Sequence, residues 1–187
     1  KPEWLGQFAL MGEIYARKAL GVNLPRIALL SNGEEEGKGN AAVTQTGEYL
    51  KDLPLNYIGN IEPRDMLAGG VDVIVTDGFI GNILLKTFEA TSRYLTNMIR
   101  EEIRHDVISS VGGILARNAF DRVRKRADTS EVGGAPLLGV DGIVIIAHGG
   151  SSAYALKNAI KQAAMAVDGD IVRSIHDGLA ELALLVE

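Results

Sequence analysis

The chain has 187 residues, a net charge of −5 at pH 7 and no cysteine. The lack of cysteine excludes disulfides, a thiolate zinc site and a cysteine nucleophile, and the acidic balance argues against nucleic acid as the main partner. With 47% hydrophobic and 23% charged residues, the composition is that of a folded domain with a substantial core. No apolar run approaches the ~20 residues that a membrane span requires.

Helical and strand patterns alternate along the chain. The predicted elements are, in order, a helix over 3–20, a strand at 26–31, a helix ending near 51, a strand at 56–61, a helical turn at 65–67, a strand at 71–76, helices over 81–105 and 107–126, a strand at 142–147, and helices beginning at 152 and spanning 171–185. This alternation indicates βαβ units and a mostly parallel sheet covered on both faces. No repeat or linker divides the chain, so we expect one α/β domain over 1–187.

The end of the apolar run at 142–147, predicted as a buried strand, is the strongest functional signal. The residues that follow it are His148, Gly149, Gly150, Ser151 and Ser152. In open α/β sheets, ligands bind outside the carboxyl ends of the strands. His148 is a candidate general base, oxyanion donor or structural hydrogen-bonding residue, and the glycine amides are candidate anion donors. The two serines favour helix capping over nucleophilic catalysis.

A second candidate site is the loop at 33–40, in which three glutamates precede Gly37, Lys38 and Gly39. The loop is not a P-loop, because three residues rather than four separate its first two glycines and no Gly-Lys-Ser/Thr follows. One interpretation is a solvated acidic turn with Lys38 as a local counter-ion. The other is a small-anion site, formed by Lys38 at the N-terminus of the next helix.

A third candidate site follows the strand at 71–76. Asp77 ends the strand, and Gly81 and Asn82 open the predicted helix. Lys86 lies one turn beyond Asn82, so both side chains can face the same cleft. The amides of the helix N-terminus suit an anion. The alternatives are that Asn82 caps the helix and that Lys86 is an ordinary surface lysine.

The helix predicted at 107–126 is a fourth candidate, and it is an amphipathic helix with a basic end and not a loop at a strand end. Apolar residues recur at helical spacing in its first part, and a basic cluster follows: Arg117, Arg122, Arg124, Lys125 and Arg126. An apolar stripe with a basic end is typical of a membrane-surface helix or of a dock for an acidic partner. The alternative is a solvated charged face over a core or dimer-interface stripe.

Several motifs together resemble the phosphate acyltransferase family of bacterial phospholipid synthesis. The matching segments are 5–16, 33–40, 57–65, 75–87 and 133–151. The pattern of Asp77, Gly81, Asn82 and Lys86 is also similar to that of the phosphate acetyltransferases. The resemblance implies a three-layer α/β/α fold of the isocitrate/isopropylmalate dehydrogenase type and a homodimer. Because members of the family have about as many residues again before the position of Lys1, we expect the chain to be the carboxyl-terminal half of a longer enzyme.

The resemblance also implies a reaction, in which inorganic phosphate and acyl-[acyl carrier protein] give acyl phosphate, without a cofactor or a metal. The implied catalytic residues are Lys38, Asp77, Asn82 and His148. The implied substrate-binding residues are Gly33, Gly37, Gly39, Asn40, Gly81, Lys86, Gly133, Gly134, Gly149 and Ser151. In this scheme Lys38, Asn82 and the Gly81 amide hold phosphate, and Asp77 orients Lys38 or Asn82. His148 or the Gly149 amide serves as the oxyanion donor, or His148 protonates the leaving thiolate.

The acyl carrier is strongly acidic, so the basic cluster at 117–126 is the candidate docking surface. We expect a cytoplasmic protein, with peripheral membrane contact through the neighbouring apolar stripe as an open alternative. Three other interpretations stay open: an acyl-CoA enzyme like phosphate acetyl- or butyryltransferase, a dehydrogenase of the same fold, and a non-catalytic module.

Overall fold

The computed structural model describes residues 1–127 and 129–186, with the side chains of 124–127, 129, 185 and 186 excepted. Its elements are α1 (Pro2–Lys18), β1 (Ile27–Leu30), α2 (Ala41–Lys51), β2 (Tyr57–Ile61), a 3₁₀ turn (Asp65–Leu67), β3 (Val73–Val75), α3 (Gly78–Ile103), α4 (Val107–Ala127), a second 3₁₀ turn (Thr129–Glu131), β4 (Ala135–Pro136), β5 (Ile145–Ile146), α5 (Ala153–Asp168) and α6 (Ile171–Val186). The chain is therefore an α/β protein, as its sequence predicts, and it is mostly helical.

Three strands form a parallel sheet in the order β2-β1-β3. Ile27 in the central strand β1 pairs with Tyr57 on one side and with Val73 on the other. All four residues of β1 are buried, so both of its faces are covered. This burial explains why an unbroken apolar run predicts the strand correctly, since central parallel strands lack the alternation of half-exposed ones.

A bulge interrupts the pairing of β2 with β1. The register advances from Tyr57 to Asn60 in β2 while it advances from Ile27 to Leu29 in β1. Gly59 lies at the bulge with φ of 99°, a conformation that favours glycine. Because successive side chains in a strand point to opposite faces, the extra residue decides on which face of the sheet the Asn60 side chain lies.

Helix α1 joins two apolar clusters. On one side, Leu5 and Ala9 pack with β1, α2, β3 and Leu182 of α6. On the other side, Met11 and Ile14 pack with residues of α5 and α6. The helix thus connects the small parallel sheet to the carboxyl-terminal helices.

Helices α3 and α4 contact each other. All 26 residues of α3 lie in the described part of the chain, and none of them is buried. Ile108 in the first turn of α4 is 85% exposed. Among residues 1–127 and 129–186, no helix combines the length and the hydropathy needed to cross a bilayer.

The prediction of a buried strand over 142–147 is wrong. Only Ile145–Ile146 forms a strand, and it pairs antiparallel with Ala135–Pro136 in a separate two-stranded sheet. Val144 is 45% exposed and Ile146 is 56% exposed. An apolar run predicts that residues are suited to burial, but it does not specify which surface covers them, and within this chain the hairpin packs mainly against α5.

Candidate functional site

The loops that follow β1 and β3 begin side by side at one edge of the parallel sheet. Both strands run parallel, so their carboxyl ends share that edge. The chain leaves β1, forms β2 on one side of it, and returns to form β3 on its other side. Such a reversal of strand order opens a crevice outside the strand ends, where ligands bind in α/β proteins. The loop with Lys38 and the turn with Asp77 start at this crevice.

The glutamates of the 33–40 loop are largely engaged by cations from elsewhere in the fold. Arg64 Nη2 lies 2.9 Å from Glu34 Oε1, and Lys51 Nζ lies 3.0 Å from Glu36 Oε1. Hydrogen bonding to Glu36, followed by that to Glu48, raises the pKa of Lys51. Two of the three negative charges that oppose an anion site are therefore paired.

Lys38 lies exposed between two glycines with left-handed backbones, Gly37 (φ 82°) and Gly39 (φ 106°). Within the described part of the chain its ammonium forms no ion pair. Its Cγ lies 3.0 Å from the position that a β-carbon on Gly33 would occupy. A side chain at 33 would therefore crowd the stem of Lys38, which gives Gly33 a packing role in the loop.

Asn60 fastens this loop to β2. Its side-chain Nδ2 donates to the carbonyl oxygens of Glu35 and Lys38, at 3.2 Å and 3.4 Å. The sequence motifs assign Asn60 no role in the site. A glycine inside a strand pattern often marks a bulge, so Gly59 is the signal that could have drawn attention to its neighbour.

The loop ends at the N-terminus of α2. Asn40 caps this helix: its Oδ1 accepts from the Val43 amide at 2.9 Å, and its carbonyl accepts from the Thr44 amide at 3.0 Å. The amides of Ala41 and Ala42 have no hydrogen-bond partner among the described residues. Unpaired amides at the positive end of a helix dipole suit an anion. Asn40, predicted to bind substrate, therefore caps the helix whose first amides are these donors.

The prediction that Gly81 and Asn82 begin a helix is wrong by three residues. Asp77 is the cap of α3, since its Oδ1 accepts from the amides of Phe79 and Ile80, each at 2.9 Å. The Gly81 amide donates to the Asp77 carbonyl at 2.9 Å, so it is not a free anion donor. Asp77 and Asn82 are both residues that cap helices well, and the local sequence does not decide between them.

Asn82 lies exposed in the second turn of α3. Lys86, one turn further on, is also exposed, and its Nζ lies 3.7 Å from Glu89 Oε2. This weak contact at i, i+3 is typical of a solvated helix face. The interpretation of Lys86 as a surface lysine therefore fits its surroundings in this chain.

His148 belongs to the turn between the hairpin and α5. Its Nδ1 accepts from the Gly150 amide at 3.1 Å, and its carbonyl accepts from the Ser151 amide at 2.9 Å. With Nδ1 as the acceptor of this bond, Nε2 is the ring nitrogen that can present a hydrogen-bond donor. Ser152 Oγ accepts from the Ala155 amide at 3.2 Å, which confirms that Ser152 caps α5.

The predicted substrate residues Gly133 and Gly134 hold the hairpin in place. Gly133 has φ of 87°, and a β-carbon there would lie 2.8 Å from the carbonyl carbon of Asn158, within the backbone of α5. A β-carbon on Gly134 would lie 2.9 Å from the Ile146 carbonyl oxygen. These glycines therefore permit close backbone packing.

The basic cluster is only partly described. Arg117 and Arg122 are exposed on α4, and Arg117 Nε lies 3.9 Å from Asp121 Oδ2. The side chains of Arg124, Lys125 and Arg126 lie outside the described residues. The interpretation of this cluster as a docking surface therefore depends on Arg117 and Arg122.

The structure brings together the strand-end loops of Lys38 and Asp77, but it does not place His148 on the same sheet. β5 belongs to the separate hairpin, so the predicted position of His148 and Gly149 at the end of a parallel strand is wrong. A site shared by Lys38, Asn82 and His148 stays a prediction.

A parallel sheet with a glycine-rich loop and two helix N-termini at one edge is typical of α/β proteins that bind ligands outside the strand ends. A profile described as "Fatty acid synthesis protein" matches residues 1–174, and the chain belongs to this family. This membership confirms the resemblance found in the motifs.

Curated relatives called "Phosphate acyltransferase" match most of the chain. One from Geotalea uraniireducens is 52% identical over 161 residues, which is 86% of this chain and 46% of that protein. One from Leptospira biflexa is 46% identical over 183 residues, 97% of this chain and 54% of that protein. One from Elusimicrobium minutum is 46% identical over 187 residues, 100% of this chain and 55% of that protein. The chain spans about half the length of these relatives.

Proposed function

We propose that the protein to which this chain belongs is a phosphate acyltransferase, which makes acyl phosphate from inorganic phosphate and acyl-[acyl carrier protein]. The observation that carries the proposal is the 46–52% identity to proteins of that name over most of the chain. The arrangement at the sheet edge supports it, because a lysine and unpaired helix amides meet there around a glycine-rich loop.

Catalysis of this reaction depends on positioning the phosphate and stabilising charge more than on a strong base. A phosphate oxygen forms a bond to the acyl carbon, the carbon–sulfur bond breaks, and the departing thiolate takes a proton. Inorganic phosphate is in substantial part dianionic at neutral pH, by analogy with phosphoesters, whose second pKa is about 6. The proposal assigns phosphate to Lys38 and the N-terminus of α2, with Asn82 as a further ligand. Asp77, as the cap of α3, sets the start of the helix that carries Asn82.

His148 is proposed to stabilise the oxyanion through Nε2–H or to protonate the leaving thiolate. The hydrogen bond accepted at Nδ1, which leaves Nε2 as the donor, supports the oxyanion role. The finer fold, a three-layer α/β/α arrangement of the isocitrate/isopropylmalate dehydrogenase type, belongs to the same proposal. It would bring the hairpin and the parallel sheet into one site, and the three parallel strands support it.

The proposed carrier partner is acidic, and Arg117 and Arg122 offer exposed positive charge on α4. A homodimer, a cytoplasmic location and peripheral membrane contact through the first turns of α4 are further parts of the proposal. Exposed apolar residues there, including Ile108 and Leu115, support a contact with another surface.

The test uses the full-length protein, purified and mixed with inorganic phosphate and either acyl-[acyl carrier protein] or acyl-CoA. Hydroxylamine converts acyl phosphate to a hydroxamate, which is then measured. We expect product with the carrier-bound donor and a loss of about 100-fold in Lys38→Ala, since Lys38 is proposed to hold the nucleophile. Lys18→Ala removes an exposed lysine from the last turn of α1, which has no proposed role, and as the control it should lose far less.

If the wild-type protein yields product only from acyl-CoA, then acyl-CoA replaces acyl-[acyl carrier protein] as the proposed acyl donor. A protein that yields no acyl phosphate from either donor would contradict the proposed function itself.

A further inference from the structure

Ser31 is a buried residue whose hydroxyl has no partner. It follows β1 directly, and its amide donates to the Ile61 carbonyl at 2.8 Å, which continues the pairing with β2. The residue is 9% exposed. Its Oγ is fully enclosed and forms no hydrogen bond with any residue in 1–127 or 129–186. Buried hydroxyls are nearly always hydrogen-bonded, because burial without a partner is unfavourable, so this one calls for an explanation.

The hydroxyl faces the turn that leads into α2. Ser31 Oγ lies 3.1 Å from the position that a β-carbon on Gly39 would occupy. Gly39 immediately precedes the cap residue Asn40, and the unpaired amides of Ala41 and Ala42 follow. The orphaned donor therefore lies against the segment that carries the positive end of the helix dipole.

We propose that the Ser31 hydroxyl donates a hydrogen bond to an oxygen of inorganic phosphate bound at the N-terminus of α2. The same anion would accept hydrogen bonds from the backbone amides of Ala41 and Ala42 and from the ammonium of Lys38. This assignment rests on the proposed phosphate acyltransferase function and gives its phosphate subsite a residue that the motifs do not indicate.

Because the hydroxyl is enclosed, the proposal requires the turn at Gly37–Gly39 to shift when the anion binds. Gly37 and Gly39 both have left-handed backbones, and a side chain on Gly37 would meet nothing within 4 Å.

The charges around the subsite are compatible with an anion. Glu34 and Glu36 are paired with Arg64 and Lys51. Glu35 is the remaining acidic group, and its Oε2 lies 2.8 Å from the position of a β-carbon on Gly33, beside the stem of Lys38.

The test is Ser31→Ala in the full-length protein. Because a hydrogen bond to a charged group is lost, the Kd for inorganic phosphate, measured by calorimetry, should rise about tenfold or more. The KM for phosphate should rise in parallel, while the KM for the acyl donor stays within about twofold. The Tm should stay the same or rise, because the variant removes a buried hydroxyl without a partner.

Thr46→Val is the matched control, since Thr46 carries a second buried hydroxyl, in the same helix α2 that bears the proposed subsite. Its Oγ donates to the Ala42 carbonyl at 2.6 Å, so its loss should lower the Tm and leave phosphate binding unchanged. An unchanged phosphate Kd in Ser31→Ala would overturn the inference. A wild-type protein without acyl phosphate synthesis, whose phosphate Kd still depends on Ser31, would contradict the proposed function and leave the phosphate subsite standing.

Discussion

The side-chain amide of Asn60 donates to the carbonyl oxygen of Glu35 at 3.2 Å and thereby ties strand β2 to the loop of Lys38. The contact depends on the bulge at Gly59, which sets the face of β2 on which Asn60 lies. A local irregularity in an edge strand of the sheet thus supports the geometry of a loop from its central strand. The position of Lys38 is fixed by residues more than 20 positions away in sequence as well as by its own neighbours.

Replacing Asn60 by Ala should loosen this loop. We expect faster proteolysis and amide exchange over 33–40, a stability loss of about 1 kcal/mol and a rise of about threefold in the KM for phosphate. Asn56→Ala is the control, because Asn56 Nδ2 donates to the Leu24 carbonyl at the same distance of 3.2 Å, just ahead of β2. Equal effects of both variants on the phosphate KM would argue against a specific role of Asn60 in the loop.

Gly133→Ala should destabilise the protein by at least about 3 kcal/mol, measured by denaturant unfolding. The new β-carbon meets the backbone of α5, and the residue has φ of 87°, so neither a rotamer change nor a small shift relieves the strain. Gly142→Ala is the comparison within the same hairpin, since a β-carbon there meets nothing within 4 Å. A Gly133→Ala protein as stable as Gly142→Ala would show that the hairpin does not pack on α5 in this way.

Acid should weaken the attachment of β3 to β1. Hydrogen bonds from the Arg26 side chain, and then from its backbone amide, lower the pKa of Asp72 from 3.8 to about 2. A carboxyl whose pKa falls on folding contributes stability above its unfolded pKa, and this contribution is lost as the pH falls from about 4 to about 2. The free energy of unfolding should therefore drop more steeply over this window in the wild type than in Asp72→Asn. Parallel curves for the two proteins would contradict the assignment.

Charge reversal on α4 should weaken binding of the acidic carrier. Arg117→Glu combined with Arg122→Glu is expected to reduce affinity about tenfold at low salt, and the difference should shrink as the ionic strength rises. Arg173→Glu on α6 is a close control, because Arg173 pairs with Asp177 at i, i+4 and 3.8 Å, much as Arg117 pairs with Asp121. Equal losses of carrier affinity after charge reversal on α4 and on α6 would indicate a general effect of net charge and would argue against a docking site on α4.

The sequence predicts the elements whose signals are local. The apolar run at Ile27–Leu30 identifies the central strand because both of its faces are buried, and Ser152 is identified as a cap because capping depends on the next three residues. The sequence predicts the start of α3 three residues too late, because Asp77 and Asn82 both suit a cap.

Other features depend on contacts between distant segments. The run at 142–147 carries the apolar signal of a strand, yet its burial depends on a partner surface that the run does not encode. Asn60 gains its significance from the bulge in β2, and Ser31 gains its significance from the glycine turn that lies against its hydroxyl. The pairing of Glu34 with Arg64, across 30 positions, likewise has no local signature, although it changes the electrostatics of the candidate site.

Because of the bulge at Gly59, the number of residues in β2 also determines the geometry of the site. Deleting this one residue leaves every side chain of the strand chemically unchanged, yet the part of β2 beyond the deletion would return to a regular ladder and turn Asn60 to the opposite face. The loop of Lys38 would then lose its attachment without any substitution in either partner. A single-codon deletion at this point should therefore be more damaging to the loop than most amino-acid replacements within it.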